Sequence, residues 1–415
     1  MAAEGQSLPE AAIAEELNRA SKLLERGDVD GAESIVKQVE KIAPQDRQLR
    51  FLNAHIAIRR GDPDRAISIF RGLLKEDPTL IRVRLDLAKT FFDKGDYEAA
   101  RYHFELALGS DLPDPVKRNV NAYLDRINYS ETQFTFSAFF VHDSNANQGP
   151  RTDVISISGQ TFTLASNAKA TSASGVVVLA SGRYAFGGNR RNYLTGDLEH
   201  RQYQNSDLDY SFIQAGIGHS IPLESWRVGA ETGMYDTLYQ NRQLSWGPWA
   251  KIYASRQITP RFLLNGAFQV RWNDYPYYSY LSGRQDILSL DSTINITPTT
   301  FATAGAFIGD NSANESPYSY NNAGLRAGIV KELPFGFTIN GAVSASRFWY
   351  GAPDPLFLQV RNDSQIQFQV NLVKRDWVYA GLAPRVFFLQ TKNNSNIPLY
   401  SFTRQFAGLG LTKIF

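Results

Sequence analysis

Cysteine is missing from all 415 positions. That excludes disulfides, thiolate metal sites and thiol catalysis in one stroke. It also suits a chain that crosses an oxidising compartment. An excess of one charge is missing too: 43 basic against 41 acidic residues leave a formal net charge of +2. No nucleic-acid partner is implied. No run approaches the ~20 consecutive apolar residues of a membrane-spanning helix. The opening MAAEGQSLPE has neither a basic segment nor an apolar one, so it does not read as a secretory leader.

What is present is unevenly distributed. All six Trp and sixteen of the twenty Tyr follow residue 130. The two parts of the chain therefore differ in architecture or in solvent.

The first part repeats. Gly27, Gly61 and Gly95 lie 34 residues apart, and each precedes an Asp (Asp28, Asp62, Asp96). Ala32, Ala66 and Ala100 keep the same spacing, as do Val36, Phe70 and Phe104. Pro44, Pro78 and Pro113 close the units. A small Ala lets two helices cross closely. Gly-Asp turns the chain between them, an aromatic fills the gap to the next unit, and Pro ends the second helix. The unit LAKTFFDKGDYEAARYHFELAL resembles the tetratricopeptide repeat. Residues 1–127 are read as a domain of three repeats with capping helices over residues 8–20 and Asp114–Ile127, Asp114 being the N-cap and Pro115 the first helical position. The glycines and alanines at these positions are framework. Arg59, Arg60, Arg65, Arg82, Arg84 and Lys89 read as a solvated face, with Asn53, Arg60, Arg84 and Lys89 as guesses for groove residues. His55 and His103 stand alone, without metal or catalytic spacing.

From residue 133 the period becomes two. In SQIQFQVNL, residues 364–372, Ile366, Phe368, Val370 and Leu372 alternate with Gln365, Gln367, Gln369 and Asn371. QDILSLDSTINI (285–296) and YLTGDLEHRQY (193–203) alternate likewise. A soluble sandwich and an outer-membrane barrel both require this. Three features favour the barrel. There are fourteen strand-like runs in the 282 residues from Phe134 to Phe415, each two to three times the ~5–6 residues usual for a globular strand. Tight connections (FGGNR, IPLESW, QITPR, ITPTT, ELPFG, VKRDW) alternate with long polar ones (144–173, 274–282, 311–317, 351–360, 391–400). The chain ends FAGLGLTKIF, which resembles the β-signal read by the barrel-assembly machinery: Gly410 and Phe415 fit, and Lys413 does not. Tyr277, Tyr278, Tyr280, Trp349, Tyr350, Trp377 and Tyr379 suit interfacial girdles.

The expected fold class is therefore α+β and multidomain: an N-terminal all-α tetratricopeptide domain, then a C-terminal fourteen-stranded antiparallel transmembrane β-barrel over residues 131–415. An even strand number puts both barrel ends, and so the helical domain, in the periplasm. A barrel further implies that a signal peptide preceded the mature chain and that MAAEGQ is not the native start.

The first strand runs into DSNANQGP, residues 143–150. Asp and Asn tolerate turns and cap their own backbone, so one reading is a built strand-to-loop transition. The other makes Asp143, Asn145, Asn147 and Gln148 client-handling groups that pair with a passing chain. With the layout, this stretch resembles the surface lipoprotein assembly modulators (Slam), the type XI secretion translocators, whose segment reads like DSNINQAP. The resemblance spans nearly the whole chain. It implies an outer-membrane translocator that recognises surface lipoproteins or related secreted proteins in the periplasm and moves them outward. Its implied partners are the client, outer-membrane lipid, the barrel-assembly machinery and periplasmic chaperones, with the translocator a monomer and no nucleic acid. No ATP-binding motif is present and no cofactor is expected.

Three rivals remain at this level. An enzyme would need more than His142, Asp143 and Ser144 in a row, since neighbours on a strand face opposite ways, and neither GxSxG nor HExxH occurs; no enzymatic activity is expected. A passive porin has no use for a repeat domain. A polysaccharide-export barrel joins the same two parts, usually with many more repeats.

Overall fold

The computed structural model of the chain describes residues 10–130, 132–157, 159–188, 191–223 and 225–413. Seven helices come first: α1 (Glu10–Glu25), α2 (Val29–Glu40), α3 (Arg47–Arg59), α4 (Pro63–Glu76), α5 (Ile81–Lys94), α6 (Tyr97–Leu108) and α7 (Asp114–Ser130). The Gly-Asp pairs show how a two-residue signal makes a helix hairpin. Gly27, Gly61 and Gly95 take φ of +84°, +78° and +86°, a region that costs other residues strain. Each closes the preceding helix with paired bonds, Gly61 N–H to the Ile58 carbonyl and Asp62 N–H to that of Ala57 in the second unit. Each following Asp then caps the next helix: Asp28 accepts from Gly31 N–H at 2.9 Å, Asp62 from Arg65 at 3.0 Å and Asp96 from Ala99 at 3.3 Å. Ala32, Ala66 and Ala100 are fully buried where helices cross, and Phe70 and Phe104 fill the core. Ion pairs also follow the repeat: Arg60 meets Asp30 and Glu33, and, 34 residues on, Lys94 meets Asp64.

The strands are β1 (Gln133–Asp143), β2 (Val154–Ile157), β3 (Gln160–Thr163), β4 (Ala173–Phe186), β5 (Asn192–Tyr203), β6 (Tyr210–Leu223), β7 (Trp226–Tyr239), β8 (Arg242–Thr259), β9 (Phe262–Asn273), β10 (Gly283–Thr297), β11 (Thr300–Ala313), β12 (Tyr320–Leu333), β13 (Phe337–Pro353), β14 (Val360–Lys374), β15 (Leu382–Ser395) and β16 (Phe402–Lys413). All but β2 and β3 form one closed antiparallel barrel of fourteen strands, with β1 between β4 and β16. The small hairpin β2–β3 belongs to the first long loop. The turns at the end near the helices are short, apart from the seven-residue β14–β15 connection (375–381). At the far end the connections are longer, except β7–β8, which turns on Gln240 and Asn241 alone, both at positive φ, as a two-residue hairpin demands.

Period-two alternation decides what faces lipid. Phe140, Ile252, Leu290, Ile308, Leu325, Ile366 and Leu409 are exposed on the outer wall. Their neighbours point inward as ions and amides, such as the Lys251–Glu231 and Arg326–Asp291 pairs, both at 2.5 Å. Among the described residues no helix is long and apolar enough to cross a membrane; the strands carry the apolar outer band.

Candidate functional site

Two places draw side chains from distant parts of the sequence. The first is the far end of the seam where β1 meets β16. Asp143, the last residue of β1, is fully buried. Its carboxylate accepts from Arg404 Nε at 3.0 Å, Arg404 Nη2 at 2.5 Å, the Tyr203 hydroxyl at 2.9 Å and the Asn145 backbone N–H at 3.1 Å. Asn145 is also buried; its Nδ2 donates to the Gly149 carbonyl at 2.8 Å and the Thr403 carbonyl at 3.2 Å, and its Oδ1 accepts from Gly149 N–H at 2.8 Å. Ser144 and Gln405 exchange bonds across the seam, Ser144 N–H to the Gln405 carbonyl at 2.9 Å and Gln405 N–H to Ser144 Oγ at 2.8 Å. Asn147 ties the loop to itself: Nδ2 donates to the Lys169 carbonyl at 2.7 Å and Oδ1 accepts from Thr171 N–H at 2.9 Å. Gln148 is exposed, with φ of +52°.

DSNANQGP is thus a latch. It clamps the loop after the first barrel strand onto the last strand, around one buried ion pair. Arg404 is the partner that sequence reading missed. Its signal was present: Phe402, Arg404 and Phe406 share the inward face of β16, and a charge among inward aromatics calls for a counter-ion. His142 faces the other way and is exposed. Gly410 sits opposite Phe139, where a Cβ would run into the Ala138 carbonyl; close approach demands glycine there. Phe415, the other assembly-signal residue, lies outside the described residues.

The second place is the barrel mouth nearest the helices. The expectation that Arg84 belongs to a solvated face is wrong. It is fully buried, and its Nη2 meets Glu332 Oε2 at 2.5 Å and the Pro78 carbonyl at 2.6 Å. Glu332 lies near the end of β12, and its other oxygen accepts from the Tyr102 hydroxyl at 2.8 Å. A helical repeat must bury whatever packs on its neighbour, and here the neighbour is the barrel. The last turn of α6 carries carbonyls with no partner inside the helix. Asn295 Nδ2 caps that of Glu105 at 2.9 Å, and Arg261 Nε that of Leu108 at 3.2 Å. Arg261 also places a cation at the negative helix end. Lys75 of α4 pairs with Asp376 at 2.7 Å, and Glu98 of α6 with Lys413 at 3.4 Å. Helix α6 therefore touches β10, β12 and β16 and lies across the mouth. Together with α4 it roofs a cavity of about 360 Å³ lined by Tyr102, His103, Asn371, Arg375, Arg385 and Thr412.

Burial raises Glu105, lowers Arg101 and raises Tyr102 well above its usual range. His103 is lowered to about 3, first by burial and then by Arg84, whose Nη1 is 3.4 Å from Nδ1. In the unfolded state the ring regains its ordinary value near 6.5. The folded state then binds the proton less readily, so its stabilising contribution is complete above pH ~6.5 and is lost as pH falls toward ~3. Thermal unfolding of the helical domain, followed by proteolysis on heating, should shift down as pH falls through that window. His103→Gln should flatten the dependence; a variant retaining the full slope would show that another group titrates.

The remaining groove candidates lie elsewhere. Arg60 is held by Asp30 and Glu33, and Lys89 by Asp93 at 2.6 Å. Asn53 is half-buried on α3. Across α3 and α5, Phe51 meets His55 edge-on, Arg82 lies over Phe51 and His55 reaches Asp86 at 3.3 Å.

A closed fourteen-stranded barrel with an apolar outer band and a tetratricopeptide domain across one mouth defines an outer-membrane barrel protein of two working parts. Residues 133–415 match the family described as surface lipoprotein assembly modifier, and residues 11–104 match the N-terminal repeats of the same family. The chain belongs to that family. Similar curated proteins are the surface lipoprotein assembly modifier of Pasteurella multocida, 20% identical over 94% of this chain and 81% of the relative, and that of Moraxella catarrhalis, 23% identical over 88% and 73%. Among solved structures, the outer membrane channel DcaP of Acinetobacter baumannii aligns with a TM-score of 0.39 at 9% identity, covering 68% of this chain and 97% of the channel.

Proposed function

We propose that the chain is an outer-membrane translocator that takes lipoprotein clients from the periplasm and delivers them to the cell surface. The observation that carries this reading is the seating of a repeat domain across one mouth of a closed barrel, in a chain of the surface lipoprotein assembly modifier family. A diffusion channel gains nothing from such a cap; a protein that must read its cargo before admitting it does. Residues 1–127 lie on the periplasmic side, and the surface shared by α3 and α5, with Phe51, His55, Arg82 and Lys89, meets the client. The α6 cap shuts the mouth between cycles. At the far end Asp143 and Asn145 hold the seam, and Gln148 with Asn147 at the loop surface meets the emerging chain. Assembly by the barrel-assembly machinery, delivery by periplasmic chaperones and action as a monomer complete the proposal.

The test is co-expression in a Gram-negative host, with a signal peptide restored, beside the lipoproteins encoded next to this protein. Surface display of one lipoprotein should depend on the chain and fall at least tenfold when residues 1–127 are removed. Unchanged display, together with solute conductance of the purified barrel, would leave a pore and no translocator.

A further inference from the structure

The outer wall changes character near its far end. Along β13 the outward residues Val343, Ala345, Arg347 and Trp349 are all exposed. Along β15 the outward Val386 gives way to Lys392 and Asn394, again exposed. Strand β14 lies between and aligns the two: Arg347 pairs with Ser364, Ser364 with Asn394, and Ile366 with Lys392. Arg347 and Asn394 therefore stand at one level, two strand spacings or about 10 Å apart. Lys392 is one outward residue nearer the helices. The cross-strand neighbours of Arg347 are Ala323 and Ser364, too small to cover its guanidinium.

A third cation comes from the first long loop. Arg151 follows directly on the DSNANQGP stretch. Its N–H donates to the Ser401 carbonyl at 2.9 Å, and its Nη2 donates to Asn394 Oδ1 at 2.8 Å. The side chain is thus pinned to the outward face of β15 while it stays exposed. Among the described residues none of the three cations meets a carboxylate. Asp153, two positions on from Arg151, is taken by Lys169 at 3.2 Å. A neighbouring arc of the same rim is arranged otherwise. On β10 and β11 the outward Asp286 and Asp310 face each other, and Arg284 is held by Asp286 at 2.8 Å.

We propose that Arg151, Arg347 and Lys392 bind the phosphorylated sugar headgroup of lipid A, the anionic glycolipid of the outer leaflet. The inference rests on the reading that the far end of the barrel faces outside the cell, and it adds a lipid partner to that reading. A charge on the lipid-facing wall is tolerated only near the headgroups. Three like charges gathered over three strands repel one another at that low-dielectric boundary, and an anion of the membrane relieves them. Each Arg offers a phosphate two parallel N–H groups, and Lys adds a point charge. Trp349 supplies the interfacial ring, and the outward Val343, Ile366 and Val386 continue the wall toward the acyl chains. Because Arg151 belongs to the loop that latches β1 to β16, a bound headgroup also fixes that loop to the rim.

The test titrates the full chain in detergent micelles with lipid A bearing two phosphates and with its dephosphorylated form, binding being read by native mass spectrometry. The bisphosphorylated lipid should bind at least tenfold more tightly. The triple variant Arg151→Gln, Arg347→Gln, Lys392→Gln should lose that preference, and Arg284→Gln should keep it. All three side chains are exposed, and native heat-dependent gel mobility checks that the variant is folded. An unaltered preference in the triple variant overturns the site, as does equal binding of the two lipids by the unmodified chain. Phosphatidylglycerol bound as tightly, through the same three cations, overturns the assignment to lipid A in favour of anionic lipid in general. Topology is read separately. Ser206→Cys gives the cysteine-free chain a single thiol in the exposed far connection between β5 and β6. A membrane-impermeant maleimide should label it in intact cells. Labelling only after the outer membrane is opened overturns the outward reading of the far end, whatever the lipid A titration shows.

Discussion

Arg84→Ala will release the helical domain from the barrel. The side chain is fully buried against Glu332, Tyr102 and the Pro78 carbonyl. Its loss leaves Glu332 buried without its nearest cation. Removing one partner of a buried pair costs about 3–5 kcal/mol, whereas replacing both by apolar groups of similar volume is near neutral. At 1.4 kcal/mol per tenfold, the undocked population should rise by about two orders of magnitude or more. Amide exchange should quicken in α6 and in the 334–336 turn while the outer halves of the strands stay protected. Glu332→Ala should do the same. The double variant Arg84→Met, Glu332→Leu should restore protection. Native exchange in both single variants would show that the cap is held by its other contacts, Lys75–Asp376 and the bonds to the α6 carbonyls.

The variant also asks what the cap does. If the docked state is the resting state, Arg84→Ala should leak small solutes into whole cells, because α6 no longer lies across the mouth. Gly109 sets how closely α6 sits: a Cβ there would meet the Thr297 carbonyl oxygen at 2.5 Å.

Much of this was legible in the chain. The 34-residue spacing of Gly-Asp fixes the helical hairpins because each half of the signal has one local job: Gly closes a helix and Asp opens the next. The barrel was legible because lipid on one side and water on the other enforce period two along every strand. Arg84 was not legible. An Arg on an amphipathic helix looks the same whether it meets water or a carboxylate 248 positions later. The β7–β8 connection was also hidden, since Gln240 and Asn241 are ordinary polar residues whose tight turn depends on the strands already being paired. DSNANQGP lies between these cases. Its turn-forming character was readable, but its grip on Arg404, Thr403 and Gln405 exists only once the barrel closes and the last strand lies beside the first.

That dependence makes Asp143 the most consequential residue of the motif. Asp143→Ala removes the counter-charge of Arg404 together with the acceptor for Tyr203 and for Asn145 N–H. A buried guanidinium left unpaired should destabilise the far end of the seam by about 3–5 kcal/mol. Asn145→Ala breaks neutral bonds and should cost about 1–3 kcal/mol, the penalty for orphaned buried groups. The readout has two parts. The temperature at which the folded barrel loses its gel mobility in detergent should fall most for Asp143→Ala, less for Asn145→Ala and little for His142→Ala, whose side chain points outward. Amide exchange should quicken in β1 and β16 and in the loop after Asp143, while β8 to β12 keep native protection. A second variant, Asp143→Leu with Arg404→Met, should recover most of the stability, because both charges have then gone. If exchange rises evenly around the barrel, Asp143 stabilises the fold as a whole and the seam has no latch of its own. If it rises only at the seam, the barrel carries a built line of weakness, held shut by a residue that the first strand supplies to the last.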